Sequence, residues 1–230
     1  MILALFDIDG TILSSDGAGR RAINTALVEL FGGTGPEGYR FDGKTDRQIV
    51  RELMRLEGHA DAHIDARMDA LLERYVTYLE RELASPAHRP TVYDGVRELL
   101  DTLEARDDVV LGLLTGNLER GARVKLDAVG IRADRFRVNA FGSDSEHRPE
   151  LPAVAQRRAR ELLGLHLPGD RVAVIGDTPA DVSCGRAIGA RAIAVATGRY
   201  SVEELASHSP AAVFPDLTDT EAVVKAIVGR

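Results

Sequence analysis

The chain has 230 residues, of which 44% are hydrophobic and 28% are charged, a composition typical of a globular protein with one large or two small domains. Its formal net charge of −7 argues against a nucleic acid or an acidic membrane held by bulk electrostatics. A phosphate substrate remains compatible with this charge, because a local cluster of donors or a metal ion can hold phosphate on an acidic protein.

Targeting and cysteine signals point to a cytoplasmic protein. No apolar run approaches the length of a membrane span, and the apolar opening lacks a basic flank and is interrupted by Asp7, so we expect no signal peptide. The single cysteine, Cys184, excludes an internal disulfide and a cysteine-rich zinc site. We interpret Cys184 as a small buried helix residue, because no histidine lies nearby in sequence to activate a catalytic thiol.

The first strand and its turn organise the predicted site. Six apolar residues lead without a polar break into Asp7, as in a strand buried on both faces of a parallel sheet. Asp7 and Asp9 would leave an extended backbone on one face, and Gly10 permits a sharp turn. The two carboxylates repel each other unless a cation lies between them or one keeps its proton. A calcium loop is excluded because its twelfth position is Ala18, whereas an ordinary Asp-Gly turn remains the structural alternative.

Residues 15–90 are predicted to be wholly helical. Apolar residues recur at helical spacing in three stretches, over 18–31, 49–56 and 61–83. Thr45 and Gln48 have the capping-box spacing that marks a helix start. Because strands are predicted on both sides of this segment, we interpret it as an insertion whose return linker lies at 85–90.

Strands and helices alternate after Tyr93. Apolar runs predict five further strands, at 109–114, 137–141, 171–175, 190–195 and 212–214. Asp94 is expected to cap the first of the helices that alternate with them. Such alternation implies right-handed crossovers. We therefore predict an α/β fold with a doubly wound, Rossmann-like parallel sheet core (1–14 and 91–230) and an inserted all-helical cap (15–90).

Four polar clusters stand at the carboxyl ends of predicted strands, where open α/β sheets bind ligands. They are Asp7–Asp9, Thr115–Asn117, the loop 142–149 and the segment 176–181. Each has a structural alternative: the Thr115 cluster could only cap the next helix, and Asp181 could complete a helix start with Thr178. The convergence of all four clusters on one edge of the sheet favours a functional site.

Together the clusters suit phosphate chemistry. Four carboxylates predict an oxygen-only site for Mg²⁺: Asp7, Asp9, Asp177 and Asp181. The metal would offset the repulsion between an aspartate nucleophile and a phosphate dianion. Thr115 and the backbone amides around Gly116 could hold phosphoryl oxygens, and Arg148 is the candidate cation beside them.

Three segments resemble the motifs of a known family. They are residues 7–11 (Asp-Ile-Asp-Gly-Thr), 113–117 (Leu-Leu-Thr-Gly-Asn) and 176–181 (Gly-Asp-Thr-Pro-Ala-Asp). In this order they are similar to the first, second and fourth motifs of the haloacid dehalogenase-like hydrolase superfamily, and the chain looks like its phosphoglycolate phosphatase group. The resemblance covers nearly the whole chain, and the helical insertion matches the cap that these enzymes carry after the first motif.

The resemblance implies roles for individual residues. Asp7 stands at the position of the nucleophile and Asp9 at that of the general acid and base. Magnesium is held in the family by the first aspartate, the backbone carbonyl of the second and the motif-four aspartates, here Asp177 and Asp181. One departure is Arg148, followed by proline, where the family usually has Lys-Pro.

The function that this resemblance implies is a magnesium-dependent phosphatase acting on a small phosphorylated metabolite through an aspartyl-phosphate. Its catalytic residues would be Asp7, Asp9, Thr115 and Arg148, and its substrate-binding residues Thr115, Gly116, Asn117, Thr45 and Asp46. A plain capped helix start explains Thr45 and Asp46 at least as well as contact with the leaving group.

Three other functions are compatible with the fold. A phosphomutase would use the same core. A haloacid dehalogenase would need no metal, and Asp9 beside the Asp177 and Asp181 pair speaks against it. A non-enzymatic binding module would be expected to lose an acidic residue, and none is missing. The sequence does not decide between a monomer and a homodimer.

Overall fold

The structure, a computed structural model, describes residues 1–229 of the chain. Its strands are β1 (Ile2–Phe6), β2 (Leu13–Ser14), β3 (Thr91–Val92), β4 (Val109–Thr115), β5 (Val138–Phe141), β6 (Val172–Gly176), β7 (Arg191–Val195) and β8 (Ala212–Phe214). Its α-helices are α1 (Ala18–Phe31), α2 (Asp46–Leu56), α3 (Asp61–Ala84), α4 (Val96–Glu104), α5 (Glu119–Ala128), α6 (Leu151–Leu163), α7 (Pro179–Cys184), α8 (Val202–Ala206) and α9 (Thr220–Val228).

Six strands form one parallel sheet in the order β5-β4-β1-β6-β7-β8. β1 lies in its interior, between β4 and β6, and all five of its residues are buried. Alternate side chains of β1 point to opposite faces of the sheet. Ala4 and Phe6 pack with the helices α4, α5 and α9, whereas Leu3 and Leu5 pack with α6. Helices on both faces and a sheet that grows outward from β1 in both directions confirm the predicted doubly wound α/β fold.

The helices α1, α2 and α3 form a second apolar cluster. The short strands β2 and β3 pair in antiparallel fashion where the chain leaves the sheet and where it returns. This two-stranded ribbon was not predicted, because two residues are too few to show strand periodicity. The arrangement supports the proposed division into a core (1–14 and 91–230) and a cap (15–90).

The structure corrects several predicted boundaries. β5 begins at Val138 and not at residue 137, β6 extends to Gly176, and β7 begins at Arg191. The prediction that Asp94 caps α4 is wrong, because Gly95 precedes the helix with a left-handed backbone (φ 78°) and no side chain bonds to the helix start. Over residues 1–229, no helix combines the length and the apolar character that a membrane crossing requires.

Candidate active site

The carboxyl end of β1 delivers Asp7 and Asp9 into a cleft of about 500 Å³ between the sheet edge and the cap. The Asp7 amide donates to the Ile175 carbonyl at 2.9 Å, so β1 stays aligned with β6 up to the first carboxylate. Ile8 is fully buried, as the alternation of side chains requires. Gly10 then turns the chain with φ 86°, and a Cβ atom at this position would overlap the Asp177 carboxylate. The position therefore needs glycine both for its backbone angle and for its packing.

Asp7, Asp177 and Asp181 form a buried acidic cluster. One carboxylate oxygen from each lies within 4.8 Å of the other two. Burial raises the pKa of Asp7 to about 6, with the Asp181 and Asp9 carboxylates adding to the rise and the Arg148 guanidinium opposing it. Burial and the neighbouring carboxylates of Asp181 and Asp7 raise the pKa of Asp177 well above its ordinary value. Three crowded carboxylates with hard oxygen donors are a set that a divalent cation would stabilise.

The two aspartates that follow β6 differ in how fully their oxygens are used. Asp181 accepts hydrogen bonds from the Thr178 amide at 3.0 Å and the Thr178 hydroxyl at 2.6 Å, and its second oxygen pairs with Arg148. The predicted helix start is thus confirmed, since Thr178 and Asp181 form a capping box at α7. Asp177 has one such contact, from the Thr11 hydroxyl at 3.1 Å. Asp177 is therefore the freer of the two for a ligand.

Arg148 lies inside the cleft. Its side chain is only 4% exposed, and its Nη2 contacts both Asp181 Oδ1 and Asp7 Oδ1, the latter at 3.3 Å. Its Nε is buried and has no partner among residues 1–229. The nearby Arg157 is 53% exposed. Arg158, further along α6, pairs with Asp144 at 2.7 Å.

The Thr115 cluster does not cap the following helix. Leu118 precedes α5, and its own side chain makes no capping hydrogen bond. Instead Asn117 Nδ2 donates to Asp9 Oδ2 at 2.7 Å and to Thr115 Oγ1 at 2.8 Å. The segment that follows β4 therefore faces the cleft and contacts the second aspartate.

Lys125 on α5 is a further residue of the cleft, which the sequence patterns did not predict. Its side chain is 4% exposed, and its ammonium donates to Asp9 Oδ1 at 2.8 Å, Asp9 Oδ2 at 2.7 Å and Asn117 Oδ1 at 2.6 Å. One signal could have identified it: the residue shares the buried face of α5 with Ala122 and Leu126, where an apolar side chain would be expected. A lysine is almost never fully buried unless it is paired.

The loop before α2 docks on the core. Thr45 accepts from the Gln48 amide at 3.2 Å, as predicted for a helix cap, and its hydroxyl donates to the Glu146 carbonyl at 2.8 Å. The Asp46 amide donates to the Gly116 carbonyl at 2.9 Å, and its carboxylate accepts from the Leu118 amide at 2.8 Å. The Asp46 side chain borders the cleft, whereas Thr45 lies at the contact between loop and core.

The buried Asp46 carboxylate has an unusual environment. Burial raises its pKa to about 6, while the Lys125 ammonium, the Leu118 amide and a hydrogen bond from Tyr75 oppose the rise. The remaining wall of the cleft on this side comes from α1 and the loop after it, with Arg20, Phe41 and Lys44. The cations here already have partners: Arg20 donates to the Tyr39 carbonyl at 3.0 Å, and Lys44 pairs with Glu52 at 2.6 Å.

The sequence of the chain is similar to those of known hydrolases. The family model for haloacid dehalogenase-like hydrolases matches residues 4–186. A phosphoglycolate phosphatase of Rhodospirillum rubrum is 31% identical over 143 residues, which are 62% of this chain and 57% of that relative. A phosphoglycolate phosphatase of Pseudomonas syringae pv. tomato is 29% identical over 217 residues, which are 94% of this chain and 76% of that relative.

A solved structure shares the fold. The crystal structure of a hydrolase from Pseudomonas syringae aligns with a TM-score of 0.74 at 22% identity, over 98% of both chains. The matched family region contains Asp7, Asp9, Thr115, Arg148 and the segment from Asp177 to Asp181.

Proposed function

Because the chain belongs to the haloacid dehalogenase-like hydrolase family, as its three motifs predicted, we propose that it is a magnesium-dependent phosphatase of small phosphate monoesters. The observation that carries this proposal is the convergence of Asp7, Asp9, Asp177, Asp181 and Arg148 in one cleft. Asp177 and Asp181 lie close to Asp7, and the Arg148 guanidinium contacts Asp7 and Asp181.

The residues fit a magnesium ion. The side chains of Asp7, Asp177 and Asp181 would hold it, together with the Asp9 backbone carbonyl, because the Asp9 side chain is occupied by Lys125 and Asn117. Magnesium favours such hard oxygen ligands and keeps several waters. When bound, it would supply positive charge that lowers the repulsion between a carboxylate and a phosphate dianion.

We propose Asp7 as the nucleophile. Its carboxylate would attack the phosphorus of the ester in line with the leaving oxygen, giving an aspartyl-phosphate and an alkoxide. Arg148 contacts Asp7 at 3.3 Å and borders the cleft, so its guanidinium can hold the nucleophile and also donate to a phosphoryl oxygen. Thr115 and the amides around Gly116 would bind the other phosphoryl oxygens.

Asp9 would transfer the protons. It would protonate the departing alkoxide in the first half of the reaction and then take a proton from the water that hydrolyses the aspartyl-phosphate. Its side chain is 41% exposed to the cleft, whereas Asp7 is buried. This difference suits a group that must exchange its proton with solvent between the two steps.

The substrate we propose is a small phosphorylated metabolite, and phosphoglycolate is the first compound to test because two relatives bear the name phosphoglycolate phosphatase. Asn117 and Asp46 would contact the substrate from the two sides of the cleft, and Thr45 would fix the loop that presents Asp46. We further propose a cytoplasmic location and no nucleic-acid or membrane partner. The choice between monomer and homodimer stays open.

The test is release of inorganic phosphate from a panel of phosphate esters, including phosphoglycolate and sugar phosphates, with Mg²⁺ and with EDTA. Asp7→Asn serves as the inactive control, because the amide is nearly the same shape but a far poorer nucleophile. Products are identified by NMR, so that a mutase, which moves phosphate without releasing it, is distinguished. Full activity in Asp7→Asn, or no phosphate release from any ester, would contradict the proposal.

A further inference from the structure

The ammonium of Lys125 is saturated by two residues of the cleft. A lysine ammonium has three protons to donate, and the structure provides three acceptors within 2.8 Å: both oxygens of Asp9 and the side-chain oxygen of Asn117. Burying an ammonium is costly unless it is paired and hydrogen-bonded. A charged group at this buried position of α5 therefore has a specific role in the cleft.

Asp9 is otherwise weakly restrained. It follows the end of β1 by three residues, its side chain is 41% exposed, and its other side-chain contacts are Asn117 Nδ2 at 2.7 Å and the Ser15 hydroxyl at 3.5 Å. Lys125 binds both carboxylate oxygens and also fixes the orientation of Asn117, whose amide group donates to Asp9. Together the two side chains restrict rotation of the Asp9 carboxylate.

Lys125 also faces the cap. A Cβ atom on Gly19 of α1 would lie 3.5 Å from its Nζ, and its charge opposes the rise in pKa of the buried Asp46 carboxyl. The Asp9 carboxylate acts in the opposite direction and raises that pKa. Lys125 thus offsets the negative charge of the Asp9 and Asp46 carboxylates.

We propose that Lys125 is a positioning residue for Asp9, holding its carboxylate in the orientation that proton transfer to and from the leaving group requires. This inference rests on the proposed phosphatase function. Displacement of a reacting group by about 1 Å can cost about a hundredfold in rate. The effect should depend on how much the leaving group needs a proton.

The experiment uses Lys125→Met, which keeps the length of the side chain and removes the charge, and Lys125→Arg, which keeps the charge. Each is assayed with Mg²⁺ on p-nitrophenyl phosphate, whose leaving group needs little protonation, and on an alkyl phosphate that the wild type hydrolyses. We expect Lys125→Met to lower kcat on the alkyl ester about a hundredfold and on the aryl ester about tenfold or less, with KM little changed. Lys125→Arg should recover part of the loss.

Two controls separate positioning from general damage. Arg123→Met, on the exposed side of the same helix, where the side chain is 53% exposed, should match the wild type. In an Asp9→Asn background, adding Lys125→Met should cause little further loss, because residues that act through one another are not additive. Thermal unfolding of each variant reports whether the fold is kept.

Equal losses on both esters, or an undiminished effect of Lys125→Met in the Asp9→Asn background, would overturn the positioning role and leave the proposed function intact. A wild type that releases phosphate from no ester of the panel would overturn the proposed function, and the role of Lys125 would fall with it.

Discussion

Replacing Arg148 with alanine tests the assignment that departs most from the family pattern. The Arg148 guanidinium lies 3.3 Å from Asp7 Oδ1 and also contacts Asp181. At an effective dielectric constant of about 20, opposite unit charges at this separation attract by about 5 kcal/mol before desolvation is counted. The part that acts on the transition state is smaller, because the charge that develops there is spread over several phosphoryl oxygens.

We therefore expect Arg148→Ala to lower kcat by about a hundredfold to a thousandfold, the loss typical of removing one preorganised charge-stabilising donor. Arg148→Lys should recover only part of that activity, because one guanidinium nitrogen already contacts Asp7 and Asp181, and an ammonium lacks the further planar N–H groups that could bind a phosphoryl oxygen. The assay is steady-state phosphate release with saturating Mg²⁺. Arg157→Ala is the matched control, since Arg157 is a nearby arginine that is 53% exposed.

The same variant has an expected effect on stability. Breaking a buried ion pair by removing one partner typically costs about 3–5 kcal/mol, because an uncompensated charge stays buried. Arg148→Ala should therefore unfold at lower temperature than the wild type in EDTA, and Mg²⁺ should narrow the gap because it supplies positive charge to the same carboxylates. Wild-type turnover in Arg148→Ala, together with loss of activity in Arg157→Ala, would show that the essential cation is a different arginine.

Three further predictions concern the metal and the cap. Chelation with EDTA should abolish phosphate release, and added Mg²⁺ should restore it; full activity after exhaustive chelation would contradict the metal assignment. Asp177→Ala should weaken Mg²⁺ binding in a calorimetric titration more than Asp181→Ala, because both Asp181 oxygens already have protein partners; the reverse order would show that the roles are exchanged. Asp46→Asn should become more stable relative to the wild type by up to about 3 kcal/mol as pH rises from about 4 to about 7, measured by denaturant unfolding. The sign follows because the pKa of Asp46 is raised from 3.8 to about 6 in the folded state. The wild type therefore loses stability as pH rises and the buried carboxyl ionises beside Asp9, whereas the asparagine variant does not; a stability difference that stays constant with pH would refute this reasoning.

Local sequence patterns were sufficient to predict the elements that position the acidic cluster. The apolar runs that end at Phe6, Thr115 and Gly176 are strands of one parallel sheet, and the carboxyl ends of such strands must meet at one edge. The prediction that Asp7, Asp177 and Arg148 lie together needed only this rule and the chain order. Asp94 was wrongly predicted to cap the start of α4, because an aspartate shortly before an apolar helix is typical of such a cap. In the structure, Gly95 precedes α4 with a left-handed backbone.

Lys125 and the contacts of Asp46 could not be predicted in the same way. The contacts of Asp46 depend on how the helical segment lies against the core, and those of Lys125 depend on how α5 packs against the end of β1. No short spacing encodes either arrangement. The Lys125 ammonium reaches Asp9 across 116 positions of sequence, and Asp46 binds Leu118 across 72. Sequence patterns identify which face of α5 is buried, but the acceptors that make a lysine tolerable on that face come from distant segments.

The contacts between loop and core also set how firmly the cleft is closed. Three hydrogen bonds join them: Asp46 to Gly116, Asp46 to Leu118 and Thr45 to Glu146. Each exchanges for a bond to water when the loop lifts, so each contributes about 0.5–1.5 kcal/mol. Together these three bonds favour the arrangement seen here by about 1.5–4.5 kcal/mol. Under the proposed function, opening at that cost would be compatible with turnover, since a closed cleft would exclude bulk water during the reaction and substrate and phosphate would still pass between cycles.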